Sequence, residues 1–548
     1  MGLNKATKLK QDAMSEALCM NAPEYEYMAS VSESHRKKFG QFFTPVSVAE
    51  FMTGWVTSNL VCRTILDPAV GLGVFFRVID RSKPQNDYKF VGYDIDPTIL
   101  SEAKSLLLSN PSYADIELKL EDYLFNGWHH KHDGIVCNPP YFKFQDYKNR
   151  AATLKEFQSR LGVNLSGFTN IYTMFLLKSV KQLTANGRAA FLVPFEFLNA
   201  DYGTIIKRYL LESKTLRYVV LFSSKEAVFS NALTTSCVLL FANDDKSQVV
   251  TFINAHNIDS LQEISEQIAS YPNDKVVGKR VHCSELDPNI KWRTYYQKQN
   301  GEGFKNLVAL STYGKVVRGI ATGDNDYFTF DEKKKIEFGI KGKFLLPCLT
   351  KAVHANTTFF TQADYDNLRL KGSRVFLINA SDLTDKAVKE YIELGEKLEV
   401  NERYLTKHRS PWYAIENRPP APILVTVFNR SGLRFVRNEA NVRNLTCFHT
   451  IYLNPFALAK VDLLMAYFLS DVSKEILNDN RREYGGGLNK FEPNDLNKAR
   501  VIDLDVIDIQ TEQLIQNAYE DYRESILSSQ SNIGALKTLN DIFSSILK

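Results

Sequence analysis

The sequence has no cysteine pair that reads as a metal or redox motif. Its seven cysteines stand far apart, at 19, 62, 137, 237, 283, 348 and 447, with no Cys-x-x-Cys among them. An odd, scattered set argues against a disulfide framework and against a structural zinc site, and it fits a reducing cytoplasm. No apolar run approaches the roughly 20 residues that a membrane helix needs. Lys5, Lys8 and Lys10 lead into no apolar stretch of the kind a secretory signal requires, so a soluble protein is expected. Charge of one sign is lacking too: 67 basic against 63 acidic residues leave a formal +4. Any polyanion-binding surface therefore has to come from local clustering. There is no internal repeat and no low-complexity linker.

What is present is length and apolar content. At 548 residues the chain predicts two or three domains, and 44% apolar residues suffice for packed cores. Residues 1–35 read as a loose or helical extension. From about 60 to 242, short β-rich runs alternate with helical patterns. The runs are 62–67, 88–94, 116–120, 133–138, 188–194, 216–222 and 235–241, with helices expected at 97–109 and 168–185. Such alternation implies βαβ units and a mostly parallel sheet, with the last strand a candidate to run antiparallel. After about 245 the alternation is lost, and the rest predicts mixed α+β structure ending in a helical stretch over 506–548.

Four segments at strand ends carry the chemistry. Asp67-Pro68-Ala69-Val70-Gly71-Leu72-Gly73 follows the first strand; its glycines permit a tight turn and close approach of a ligand, though an ordinary strand–helix turn looks the same. Asp94, in Val91-Gly92-Tyr93-Asp94-Ile95-Asp96-Pro97, stands where an acidic residue can bind the two hydroxyls of a ribose. Asp96 before Pro97 reads instead as a helix cap. Glu121-Asp122-Tyr123 reads either as a contact to a nucleobase amino group or as a surface turn. The most specific segment is Asn138-Pro139-Pro140-Tyr141, at the end of Asp133–Cys137. Two prolines stiffen the backbone and leave carbonyl oxygens free to accept. The Asn138 oxygen and the Pro139 carbonyl can take both hydrogens of an amino group on a planar ring, and Tyr141 offers a face for stacking.

Taken in order, these segments resemble the gamma-class (Taq-type) DNA adenine-N6 methyltransferases of bacterial restriction–modification systems. That class places a segment of the kind Gly40-Gln41-Phe42-Phe43-Thr44-Pro45 ahead of the glycine loop, as here. The resemblance covers about 36–242 strongly and departs at Val70, where the family has a small polar residue or cysteine. It implies a Rossmann-like α/β methyltransferase domain over 36–244 and a C-terminal mixed α+β target-recognition domain over 245–548. It also implies S-adenosylmethionine as cofactor, held by Phe43, Thr44, Pro45, Asp67, Ala69, Gly71, Gly73, Asp94, Ile95, Asp122, Tyr123, Asn138 and Phe175. Phe175 comes from Phe168-Thr169-Asn170-Ile171-Tyr172-Thr173-Met174-Phe175, which equally describes an amphipathic core helix. Asn138, Pro139, Pro140 and Tyr141 form the implied catalytic set, and Tyr141 and Phe229 would sandwich the flipped adenine.

In the C-terminal half, Arg318-Gly319-Ile320-Ala321-Thr322-Gly323-Asp324-Asn325, Arg409-Ser410-Pro411-Trp412-Tyr413 and Tyr484–Pro493 match marks of the recognition domains. Arg318, Thr322, Asn325, Arg409, Trp412 and Lys490 are the candidate DNA contacts, with Lys333-Lys334-Lys335 and Lys407-His408-Arg409 as possible phosphate clusters. The implied partners are double-stranded DNA and a separate cognate endonuclease acting on the same site. The implied setting is a monomer in the bacterial cytoplasm, with no metal and no membrane. Cytosine-N4 methylation, a modification subunit that needs a separate specificity protein, an RNA or protein-amide methyltransferase, and a non-catalytic DNA-binding relative are the competing readings.

Overall fold

The computed structural model describes residues 22–59, 61–82, 87–108, 115–142, 147, 149–165, 169–222, 236–297, 299–429, 432–484, 488–528 and 532–548. Residues 484–487 aside, the chain divides into two compact units after Gln297.

The middle of the first unit is built on runs buried on both faces, Leu216–Phe222 and Ser236–Ala242 among them. β1 (Thr64–Asp67), β2 (Lys89–Asp94), β3 (Ile116–Leu120), β4 (His132–Cys137), β5 (Leu183–Pro194), β6 (Leu216–Phe222), β7 (Ser236–Ala242), β8 (Val249–Ala255) and β9 (Lys279–His282) form one sheet in the order β3-β2-β1-β4-β5-β7-β6-β8-β9. Strands buried on both sides belong in a sheet with helices on each face. Neighbouring residues accordingly go to opposite cores: Leu66, Ile135 and Cys137 to one, Ile65 and Val136 to the other. The chain passes from β1 through β2 to β3 on one side, then crosses to β4 and β5 on the other. The switch lies between β1 and β4, which pair in parallel. β7 is antiparallel to both β5 and β6, as its lack of a preceding helix suggested.

Helices α1 (Ala22–Ser30), α2 (Glu33–Phe39) and α3 (Val46–Thr57) precede β1, so the described part of the expected N-terminal extension is helical. α4 (Val74–Ser82) and α5 (Pro97–Leu108) connect the first strands, α6 (Arg150–Leu161) and α7 (Ile171–Gln182) lie between β4 and β5, and α8 (Gly203–Glu212) precedes β6.

The sheet does not stop at 244. β8 pairs in parallel with β6, α9 (Ser260–Ile268) follows, and β9 closes the edge antiparallel to β8. The alternation expected to end near 245 thus continues to His282. β9 reads Lys-Arg-Val-His with only Val281 buried, and a charged edge strand of this kind leaves almost no hydrophobic signal.

The second unit is mixed α+β, as expected. A five-stranded sheet runs in the order 314–318, 448–453, 423–426, 435–438 and 359–360, and a four-stranded one in the order 329–330, 376–378, 345–349 and 443–444. The helical stretch at its end is two helices, Ile509–Leu527 and Ile533–Leu547, whose Tyr519, Leu539 and Phe543 join the core beneath Val461–Leu469. No described helix is long and apolar enough to cross a membrane.

Candidate active site

Asp67 ends β1, Asp94 ends β2, Asp122 stands just beyond β3 and Asn138 directly follows β4. All of them line one cleft in the first unit. Open α/β sheets bind ligands outside the carboxyl ends of the strands where the strand order reverses, and this cleft lies there.

Two carboxylates sit in it under electrostatic tension. Asp67 is 1% exposed; one oxygen accepts from the Ala69 N–H at 3.1 Å and the other, Oδ2, has no partner. Burial pushes its carboxyl well above the usual range, and the nearby Asp94 pushes the same way. Asp94 accepts from the N–H groups of Gly71 at 3.1 Å and Asp96 at 2.9 Å. Burial nevertheless raises it to about 6, those backbone donors opposing. Buried carboxylates with spare acceptor capacity favour a ligand that brings hydroxyls or positive charge. The glycine loop between them needs its glycines. Gly73 has φ +74°, and a Cβ there would lie 2.7 Å from Leu107 Cδ1.

On the β3 side the cleft becomes an apolar slot. Tyr123 is buried, its hydroxyl bonded to Ser179 at 2.9 Å and to Gln182, and Phe175 packs on its ring at 5.4 Å and 34°. Asp122 accepts from the Leu124 N–H at 3.0 Å and from the Tyr147 hydroxyl. Beneath this loop Lys178 donates to the carbonyls of Tyr123 and Asn126, with its ammonium 4.1 Å from the centre of the Tyr123 ring. Burial lowers that ammonium to about 7.

Asn138 is oriented by its surroundings. Its Nδ2 donates to the Phe42 carbonyl at 2.8 Å and to Thr44 Oγ1 at 3.0 Å. A carbonyl only accepts, so the amide can point just one way, and Oδ1 is left as the acceptor. The Tyr141 hydroxyl lies within reach of Oδ1 and of the Leu192 carbonyl, the latter at 2.7 Å. Its single proton serves one of them at a time, and an amide oxygen has a second lone pair in any case. The Tyr141 ring is half-buried, stacked on Phe42 at 5.6 Å and 29°. The Gly40–Pro45 segment therefore grips the Asn138–Tyr141 segment directly. At Gly40, with φ +64°, a Cβ would come within 3.2 Å of Pro140 Cβ and of the Tyr141 nitrogen.

Of the expected cofactor set, Phe43, Thr44, Asp67, Ala69, Gly71, Asp94, Ile95, Asp122, Tyr123, Asn138 and Phe175 line the cleft. Gly73 shapes the loop and Pro45 caps α3, and neither lines it. Pro140 lines the cleft while Pro139 is buried beside it. Asp96 caps α5 through Thr98 and also accepts from His35 and Gln41, each at 2.7 Å, which ties the N-terminal helices to β2. Phe229 and Phe168 lie outside the described residues. Sequence reasoning missed Glu24, Gln41, Phe42 and Tyr147. Gln41 and Phe42 stand inside a recognised segment, but Glu24 and Tyr147 carry no sequence signal.

The candidate contacts of the second unit fall into two groups. Arg318 and Asn325 are exposed, and Lys490 is partly so, beside the exposed Phe428. Thr322 is buried and donates to Asn325 Oδ1 at 2.6 Å. Arg409 donates to the carbonyls of Thr322 and Ala321, and Trp412 packs on Tyr327 at 5.8 Å. Lys334, from the basic run, donates to three backbone carbonyls, those of Asp326, Tyr327 and Thr329. These last side chains are spent on holding their own loops.

A family model described as N-6 DNA Methylase matches residues 20–278, and one described as the C-terminal domain of the type II methyltransferase M.Eco57I matches 299–534. Type II methyltransferase M.AccI of Acinetobacter calcoaceticus is 48% identical over 530 residues, covering 96% of this chain and 97% of its own. M.XamI of Xanthomonas campestris pv. amaranthicola is 23% identical over 481 residues, 85% of each chain. Among solved structures, the type IIL restriction-modification enzyme MmeI in complex with DNA shares the fold. Its TM-score is 0.58 at 14% identity, over 95% of this chain and 78% of that one.

Proposed function

The chain belongs to the type II DNA methyltransferases of restriction–modification systems, in the N6-adenine class, and from that membership we propose how its own residues carry out the reaction. The observation that carries the reading is the locked orientation of Asn138, which presents an amide oxygen where the cleft meets the Pro139-Pro140-Tyr141 turn.

S-adenosylmethionine fits the cleft. Its adenine suits the slot of Tyr123 and Phe175 with Asp122 at the rim, its ribose hydroxyls suit Asp94, and its cationic amino-acid end suits the unpartnered oxygen of Asp67. Phe43, Thr44, Ala69, Gly71 and Ile95 complete the walls. When bound, it supplies a methyl group made electrophilic by a sulfonium.

The chain's part is to bring an amino nitrogen to that group and exclude alternatives. An adenine leaves the DNA stack, costing a few kcal/mol that contacts in the site recover. Asn138 Oδ1 and the Pro139 carbonyl accept its two amino hydrogens. This would draw the nitrogen lone pair out of conjugation with the ring, so that the new N–C bond would form as the methyl–sulfur bond breaks, S-adenosylhomocysteine being the leaving group and the surplus amino proton passing to solvent. Tyr141 fixes the ring plane, with Phe229 as the opposite face. Positioning and local electrostatics supply most of the rate, because the donor is already activated. Among the second unit's candidates, Arg318, Asn325 and Lys490 contact DNA, while Thr322, Arg409 and Trp412 hold the loops that present them. The protein acts as a monomer on double-stranded DNA, with a cognate endonuclease as a separate chain.

The test is methyl transfer from labelled cofactor to unmethylated bacterial DNA, followed by nucleoside analysis. N6-methyladenine is the expected product. N4-methylcytosine in its place would contradict the substrate assignment while leaving the cleft's reading intact.

A further inference from the structure

Helix α1 brings to the cleft a charged group for which the reaction so far has no use. Glu24 is 2% exposed and lines the cleft; its Oε1 pairs with Arg77 Nη2, while its Oε2, like Arg77 Nε and Nη1, is buried without a partner. Burial raises its carboxyl above the ordinary range, with Arg77 opposing. Asp67, lining the same cleft, has its own buried and unpartnered oxygen. Leaving one carboxylate oxygen unsatisfied in a buried place is costly, and leaving two in one cleft is more so. A cationic donor with two or more hydrogens, bound in this cleft, is the kind of group that can satisfy both.

The placement is not that of a stray terminal helix. Tyr27, one turn after Glu24, joins Leu72 and Ile99 in a small core of its own and meets Phe43 edge-on at 5.8 Å. Arg77 lies on α4, just past the glycine loop, and its backbone N–H donates to the Gly73 carbonyl. Glu24 is thereby held on a helix packed against the glycine loop and α5.

We propose that Glu24 is a further cofactor-binding residue, taking, together with Asp67, the α-ammonium at the amino-acid end of S-adenosylmethionine. The inference rests on the cofactor reading given above. A charge-assisted hydrogen bond of this kind contributes about 1.5–3 kcal/mol, or roughly ten- to a hundred-fold in affinity.

Calorimetric titration of the full-length protein with two probes separates the possibilities. S-adenosylhomocysteine carries the amino-acid end, whereas 5′-methylthioadenosine lacks it. In Glu24→Gln, S-adenosylhomocysteine should bind at least about ten-fold more weakly, with 5′-methylthioadenosine within about two-fold of wild type. Equal weakening of both probes would mean that Glu24 only holds α1 in place, and no change in either would mean that it touches nothing; either result overturns the proposal. If the wild-type protein binds neither probe, the cofactor reading itself fails, and this inference with it. Should Glu24→Gln not fold, the double variant Glu24→Gln/Arg77→Gln removes both charges of the pair and is read by the same ratio.

Discussion

At the scale of single residues, the cleft works by leaving acceptors short of donors. Asp94 shows what this costs and what it gains. Burial raises its carboxyl from the usual 3.8 to about 6. In the ligand-free protein the stability linked to this group is therefore fully present below pH 3.8 and lost as pH rises through 6. The loss amounts to about 3 kcal/mol at 1.36 kcal/mol per unit. Binding runs the other way, because ribose hydroxyls need the ionised carboxylate. Cofactor affinity should thus fall about ten-fold per unit as pH drops below 6, and Asp94→Asn should bind weakly with that pH dependence flattened. Titration calorimetry at pH 5, 6 and 7.5 checks both parts, and a wild-type affinity flat across this range would contradict the assignment of Asp94. At this scale the sequence was legible wherever a residue stood in a motif, as at Asp67, Asp94 and Asn138. Glu24 was not legible, because nothing in Ala22–Ser30 marks it as more than one acidic residue on a short helix.

At the scale of elements, the site depends on one segment bracing another. The Phe42 carbonyl and Thr44 hydroxyl fix the Asn138 amide, and Gly40 lets the two backbones approach. Gly40→Ala places a side chain at φ +64° against the Pro140-Tyr141 backbone, a conformation costing roughly 1–2 kcal/mol before any contact is counted. Thermal unfolding should show the destabilisation, and kcat should fall more than cofactor affinity because the displaced group is Asn138. A variant whose cofactor affinity alone fell would show that the bracing serves the cleft and not the catalytic turn. Strands such as β6 and β7 could be read from the sequence because both their faces are buried and their runs are almost wholly apolar, whereas β3 showed through the alternation Ile116-Glu117-Leu118-Lys119-Leu120 of a half-exposed strand. β9 escaped notice because it is a short, charged edge strand with a single buried residue, whereas β8 and α9 carry apolar runs that could have been read. In the second unit, strands of only a few residues, such as Thr329–Phe330 and Arg443–Asn444, are set by tertiary pairing and leave no periodic trace.

At the scale of the whole molecule, one chain carries both the cleft and a second unit proposed to read DNA, and each role has its own physical signature. Cofactor contributes to the stability of the folded form through binding, about 2.7 kcal/mol at a hundred-fold excess over Kd, while DNA affinity should follow salt. Arg318→Ala and Lys490→Ala should each lower the slope of log affinity against log salt by about 0.9 if the residue contacts a phosphate. Arg409→Ala should instead lower the melting temperature and leave that slope unchanged, because its guanidinium holds the Ala321 and Thr322 carbonyls. A changed slope for Arg409 with unchanged stability would reverse that division. The central claim is that Asn138 acts on the substrate amino group and does not merely hold the cofactor. Asn138→Ala bears on it most directly, through single-turnover methylation and cofactor titration on the same preparation. The expected result is cofactor affinity within a few-fold of wild type and N6-methyladenine formation slowed on the order of 10²–10³-fold, the usual loss when one polar contact made at the reacting centre is removed. Methylation at near wild-type rate, or a rate loss matched entirely by lost cofactor binding, would contradict it.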